Sequence, residues 1–150
     1  MTVDVDELLR SEDEGWLALT ETFGEVRSER FAEASLNDEG WSPKDAMYHI
    51  AAWAEEAAKI LGRIEAGTHR EAKLDIDRMN QEWLEIGRGL DDDVVRIRFA
   101  KGRVAMRQAL TRLPEVGPVA WEWFEESGPM HYAEHLPDLR AFLEREGHRP

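Results

Sequence analysis

Trp41-Ser42-Pro43-Lys44-Asp45-Ala46-Met47-Tyr48-His49-Ile50-Ala51-Ala52-Trp53 is the stretch whose reading decides the fold. Ser42 is a residue type that caps a helix, and Pro43 has the fixed φ and missing N–H that suit the first helical position. Asp45 then places negative charge in the first turn, where the helix dipole favours it. Trp41, just before the cap, is set to staple against Met47 or a neighbour. Beyond the start, Trp53, Ala57, Ile60, Leu61 and Ile64 keep an apolar stripe at helical period until Gly67. A helix that begins with this many agreeing signals anchors the rest of the chain.

The same period extends in both directions, and no alternating strand run appears. A first helix is expected from about Val5 to about Val26, its stripe marked by Leu8, Leu9, Trp16, Leu19 and Phe23. Residues 28–40 are polar and read as a connector, with Phe31 and Leu36 tucked onto the bundle. After a linker over 68–73, a third helical stretch is expected from Ile76 to Ile86, interrupted by Gly87 and Gly89. Asp91 or Asp92 caps a fourth through Val95, Phe99, Val104, Met106, Leu110 and Leu113. Residues 114–118 break the chain, and Trp121, Trp123 and Phe124 belong to a short helix or packed loop. Ser127-Gly128-Pro129 opens the last helix, which runs to Gly147. Four main helices and one longer crossover make an all-α, four-helix bundle, one domain over residues 1–150.

Composition narrows the partners. Thirty-two acidic residues face 19 basic ones, a formal charge of −13, so phosphate backbones and anionic lipid are repelled. Arg96, Arg98, Lys101, Arg103 and Arg107 form the one basic cluster, read as a solvated helix face. Neither nucleic acid nor membrane is expected as a partner. With 150 residues the chain can bury about 70% of its unfolded surface without disulfides, and it has no cysteine. The acidic start lacks a signal peptide's basic and apolar regions, and a soluble, cytoplasmic protein is expected. Six tryptophans offer more apolar surface than a small core readily hides, which favours a symmetric homodimer.

With no thiol available, a transition-metal site must rest on imidazole and carboxylate. His131 and His135 lie four residues apart and share one face of the last helix. His49 sits at the edge of the second helix's apolar stripe. All three lean inward near the N-terminal ends of their helices, and if those ends share one rim, the three nitrogens can hold one divalent metal and leave a position open. The competing reading is of boundary histidines bonded to carbonyls or to Asp45 and Glu134. His69 and His148 lie in polar surroundings and read as solvated.

Trp41-Ser42-Pro43-Lys44-Asp45 followed by His49 and Trp53, together with His131-Tyr132-Ala133-Glu134-His135-Leu136, resembles the paired motifs of the DinB-like (YfiT-like) superfamily. Asp75-Ile76-Asp77-Arg78-Met79-Asn80 is similar to the polar stretch ahead of that superfamily's third helix. The resemblance implies a four-helix bundle, usually dimeric, in which His49, His131 and His135 hold zinc, nickel or a similar ion. It also implies a small-molecule thiol or electrophile as partner, because some relatives are thiol-dependent S-transferases or isomerases. An open three-histidine site would activate a thiol, or water, with Trp53 and Tyr132 or Trp123 as walls and Glu134 and Asp45 orienting the imidazoles. Plain core packing is the stronger reading of Trp53. Pro137 departs from the pattern and is expected to kink the last helix just past His135. Protons should compete for the imidazoles near pH 6.5. The alternative is a non-catalytic small-molecule- or metal-binding, protective protein of the same fold, or one whose histidines only stabilise it.

Overall fold

The computed structural model describes residues 4–147, and these form six α-helices with no strand among them. They are α1 (Val5–Gly24), α2 (Pro43–Ala66), α3 (Ile76–Arg88), α4 (Asp92–Arg112), α5 (Pro118–Ser127) and α6 (Pro129–Gly147). One turn of 3₁₀ helix covers Ser28–Arg30 in the first crossover. The four long helices are the expected all-α bundle, with α2 packed along α4 and α1 along α6, while α3 and α5 dock on α2. None of the described helices is long and apolar enough to cross a membrane. His148 lies outside the described residues.

Local chemistry explains the boundaries. The start of α2 is a reciprocal capping box: Ser42 Oγ accepts from the Asp45 N–H at 3.1 Å, and Asp45 Oδ2 accepts from the Ser42 N–H at 3.0 Å. Gly67 closes the helix in the left-handed region at φ 74°. Asp4 and Asp75 cap α1 and α3 through their side chains. The third helix runs past the expected break at Gly87. That glycine serves packing, since a Cβ there would lie 2.5 Å from Tyr48 Cδ1. Only a bare backbone lets α3 approach α2 so closely. Pro137 does not end α6, which is continuous from Pro129 to Gly147.

The core divides into two clusters. One gathers Leu19, Phe23, Phe31, Leu36, Ile50, Phe99, Leu139 and Phe142, so the connector residues Phe31 and Leu36 do tuck onto the bundle. The other holds Leu8, Ala57, Leu61, Met106, Leu110 and Phe124. Between helices run ion pairs that replace the expected solvated basic face. Arg98 grips Glu55 on α2 at 2.7 and 3.1 Å, and Arg103 and Arg107 both reach Glu12 on α1 at 2.7 Å. Arg96 lies over the Phe31 ring at 3.9 Å. Periodicity along α4 reports how its arginines are spaced and is blind to the acids that α1 and α2 bring to them. Glu12 is completely buried.

Candidate metal centre

His49 lies in the second turn of α2, and His131 and His135 occupy the first two turns of α6. The packing brings the three rings into a nearly equilateral triangle, with centroids 4.8, 4.9 and 4.7 Å apart. One nitrogen from each ring lies within 4.8 Å of the others. His131 Nε2 and His135 Nε2 are 3.0 Å apart. That separation suits two donors on one ion, each at roughly 2.0–2.1 Å, and it also suits a single hydrogen bond between neutral rings.

Electrostatics keep the cluster neutral. Burial pushes the His49 imidazole down to about 3, helped by His135, and pushes His131 down to about 2, helped by His135 and His49. Burial lowers His135 as well, opposed by the negative charges of Glu134 and Asp138. Each ring therefore presents a lone pair at neutral pH. His131 is 7% exposed, and its Nδ1 is buried without a partner. An internal His–His bond alone thus leaves this cluster short of partners, a costly state for buried polar atoms.

Trp41 is the neighbour that sequence reasoning placed only as a staple. Its ring meets His49 edge-on at 5.1 Å and stacks on His135 at 6.4 Å. A tight turn delivers it. Asn37 Oδ1 accepts from the Trp41 N–H at 3.1 Å, Leu36 N–H donates to the Trp41 carbonyl at 2.8 Å, and Gly40 takes φ 80° between them. Trp41 thus closes one side of the triangle.

The other side opens into a cavity of about 330 Å³ with His49 and His131 on its wall. Trp53 and Trp123 also face it. Trp53 donates its Nε1–H to Asn80 Oδ1 at 2.8 Å and meets Trp83 at right angles, 4.9 Å away. It is a cavity wall, where core packing was the favoured reading. Asn80 belongs to the polar stretch noted before α3, but its role as the partner of Trp53 had no sequence signal.

Three expected roles are overturned. Tyr132 is not a wall: it points into the core and donates its hydroxyl to Glu12 Oε2 at 2.7 Å. Asp45 does not orient an imidazole, because its carboxylate is taken by the Ser42 cap and by Arg88 at 3.2 Å. His69 is half-buried, with Nδ1 shielded from solvent, and lines a neighbouring cavity of about 380 Å³. Glu134 does stand at the mouth beside the histidines. Among the described residues no hydrogen bond joins it to a ring.

The fold is shared with a solved structure, an uncharacterised protein from Escherichia coli UTI89, at a TM-score of 0.82 over 95% of this chain and 94% of that one. Sequence identity between the two is 12%, so the likeness concerns the fold. No curated protein matches the chain in sequence. The family model described as the mycothiol maleylpyruvate isomerase N-terminal domain matches residues 13–143, a span that holds all three histidines and every long helix at least in part. The chain belongs to that DinB-like family.

Proposed function

We propose that His49, His131 and His135 hold one divalent metal ion, zinc or nickel, and that the cavity beside them admits a small-molecule thiol or its electrophile for S-transfer. The observation that carries this reading is the convergence of three neutral imidazoles, each largely shielded from solvent, two of which, His49 and His131, lie on the wall of one cavity. When bound, the ion would supply the positive charge that lowers the pKa of a thiol or water toward neutrality.

The chain's own residues prepare the place. Burial holds the imidazoles unprotonated, so no proton must leave before they act as donors. Trp41 packs against two of the rings and limits their rotation. Trp53, pinned by Asn80, gives the cavity a fixed apolar wall and restricts water there. The family description names mycothiol, and a thiol partner agrees with a donor set lacking any cysteine of its own. It also names maleylpyruvate, a dicarboxylate. None of the residues lining this cavity is Lys or Arg, so that electrophile is not carried over.

Elemental analysis of protein purified without a histidine tag or added metal tests the reading. About one equivalent of zinc or nickel per chain is expected. A stable, active-length protein with no metal, which also takes up none on dialysis against zinc, ends it.

We also propose a homodimer, and the structure changes the reason for it. All six tryptophans are partly buried. None of the exposed large apolar residues is aromatic, and Val94, Ile97 and Val104 among them follow one face of α4. Light scattering at micromolar concentration is expected to give twice the 17.3 kDa chain mass. A mass of one chain at every concentration removes the proposal.

A further inference from the structure

The cavity in front of the histidines is divided by chemistry. Its inner end is His49 and His131, the latter more than nine-tenths buried with Nδ1 lacking a partner. Its sides are the indoles of Trp53 and Trp123, whose ring centroids are 6.5 Å apart. Its mouth carries two carboxylates from different helices, Glu126 on α5 and Glu134 on α6, both exposed. Glu122 and Glu125 add like charge around Glu126. Arg63 and Arg70 belong to the adjoining cavity, which shares Leu74, Trp123 and Glu126 as a common wall.

Two electron-rich indoles and two carboxylates, with no cation among the lining residues, make a receptor for positive charge. A cation there gains attraction from the ring quadrupoles and from both carboxylates. An anion of the same size meets repulsion from every charged group at the mouth. The net charge of −13 gives the surrounding field the same sign and raises the local concentration of cations.

We infer that this cavity takes a substrate bearing a positively charged ammonium group, held at the mouth by Glu126 and Glu134 against the Trp53 and Trp123 faces, with its reacting end directed to the histidines. Only the direction of the reacting end rests on the metal reading. The charge preference belongs to the walls and holds in metal-free protein.

Calorimetric titration of the chelator-treated and the zinc-supplemented protein with benzyltrimethylammonium, benzyl alcohol and benzenesulfonate tests it. In the chelator-treated form the ammonium probe is expected to bind at least about tenfold more tightly than benzenesulfonate, with benzyl alcohol between them, and added zinc should narrow that ratio. Changing both mouth residues, Glu126→Gln with Glu134→Gln, should bring that ratio below about threefold. Both side chains are exposed, so unchanged helical circular dichroism is expected for the double variant. Trp53→Leu should weaken the ammonium probe more than the alcohol. Equal binding of all three probes, tighter binding of the sulfonate, binding of none, or a preference that survives the double variant overturns the inference. Failure of the metal reading shows instead as absent zinc uptake with the ammonium preference intact.

Discussion

Replacing His131 with alanine is expected to lower zinc or nickel affinity by at least about 100-fold while leaving the helical fold in place. Loss of an outer partner of a metal ligand alone costs about 10–100-fold, and His131 would be a ligand itself. It touches both other rings, at 4.8 and 4.7 Å between centroids, so its removal leaves two imidazoles that water completes poorly. The fold should survive because neither core cluster includes His131. His69→Ala is the control, since His69 lines the adjoining cavity and lies outside the triangle. Equal affinity of wild type and His131→Ala by calorimetry at pH 7 sinks the metal site.

The pH dependence of the same measurement departs from what free imidazoles would give. In the folded chain burial holds His49 near 3 and His131 near 2, so protons do not compete for these rings until well below pH 6.5. Affinity should therefore begin to fall at a lower pH than model imidazoles would show. The metal-free fold is affected in its place. In the unfolded chain the same rings titrate near 6.5, so below that pH the unfolded state binds more protons than the folded one. The contribution of the neutral rings is complete above about pH 6.5 and falls away as pH drops from there toward 3. Urea midpoints of metal-free wild type should decline over that window, and those of a His49→Gln, His131→Gln, His135→Gln variant should decline less. Parallel curves for the two proteins would reject the neutral, buried triangle.

How much of this could be read from the sequence depends on the range of the interaction. The start of α2 was legible because its cap, its proline and its first-turn acid interact within three residues. The spacing of His131 and His135 was legible for the same reason, whereas His49 joined them only on the condition that the N-terminal ends of α2 and α6 share one rim, which no local signal fixes. Gly87 misled because a glycine breaks a helix or admits a close neighbour, and only the position of Tyr48 decides which. Tyr132 misled because a residue beside a site histidine on a helix points about 100° away from it, here into the core. The arginines of α4 were assigned to solvent because their partners are remote, with Glu12 lying 91 positions from Arg103. Nothing in Ser11-Glu12-Asp13-Glu14 marks the second of these as the one that turns inward. Its neighbours at i−4 and i+4, Leu8 and Trp16, put it on the apolar stripe, and that was the available signal.

Glu12→Ala is expected to cost about 3–5 kcal/mol of folding stability, the largest effect of any single substitution outside the apolar core. The Glu12 carboxylate has no solvent exposure and takes every bond it can hold. Arg103 donates through Nε at 3.1 and 3.0 Å and through a terminal nitrogen at 2.7 Å, Arg107 donates at 2.7 Å, and the Tyr132 hydroxyl donates at 2.7 Å. Truncation leaves two guanidinium groups, only 20% and 25% exposed, and a buried phenol without their acceptor. Asp13, bonded to Arg103 at 2.6 Å, still supplies partial counter-charge and keeps the cost toward the lower end. Tyr132→Phe removes one of these bonds and should cost about 1–2 kcal/mol. The energetics also bear on the site, because Tyr132 follows His131 on α6 and its bond to Glu12 fixes the rotation of that helix against α1. Glu12→Ala should therefore loosen metal binding as well, under conditions where the variant is still folded. Denaturant titration gives the stability change directly, and a loss below about 1 kcal/mol would mean that the buried carboxylate merely offsets its own desolvation. Because the pairs are sheltered from solvent, the difference between wild type and variant should change little between low and high salt. A difference that vanished in salt would place the interaction at the surface, contrary to the burial of Glu12.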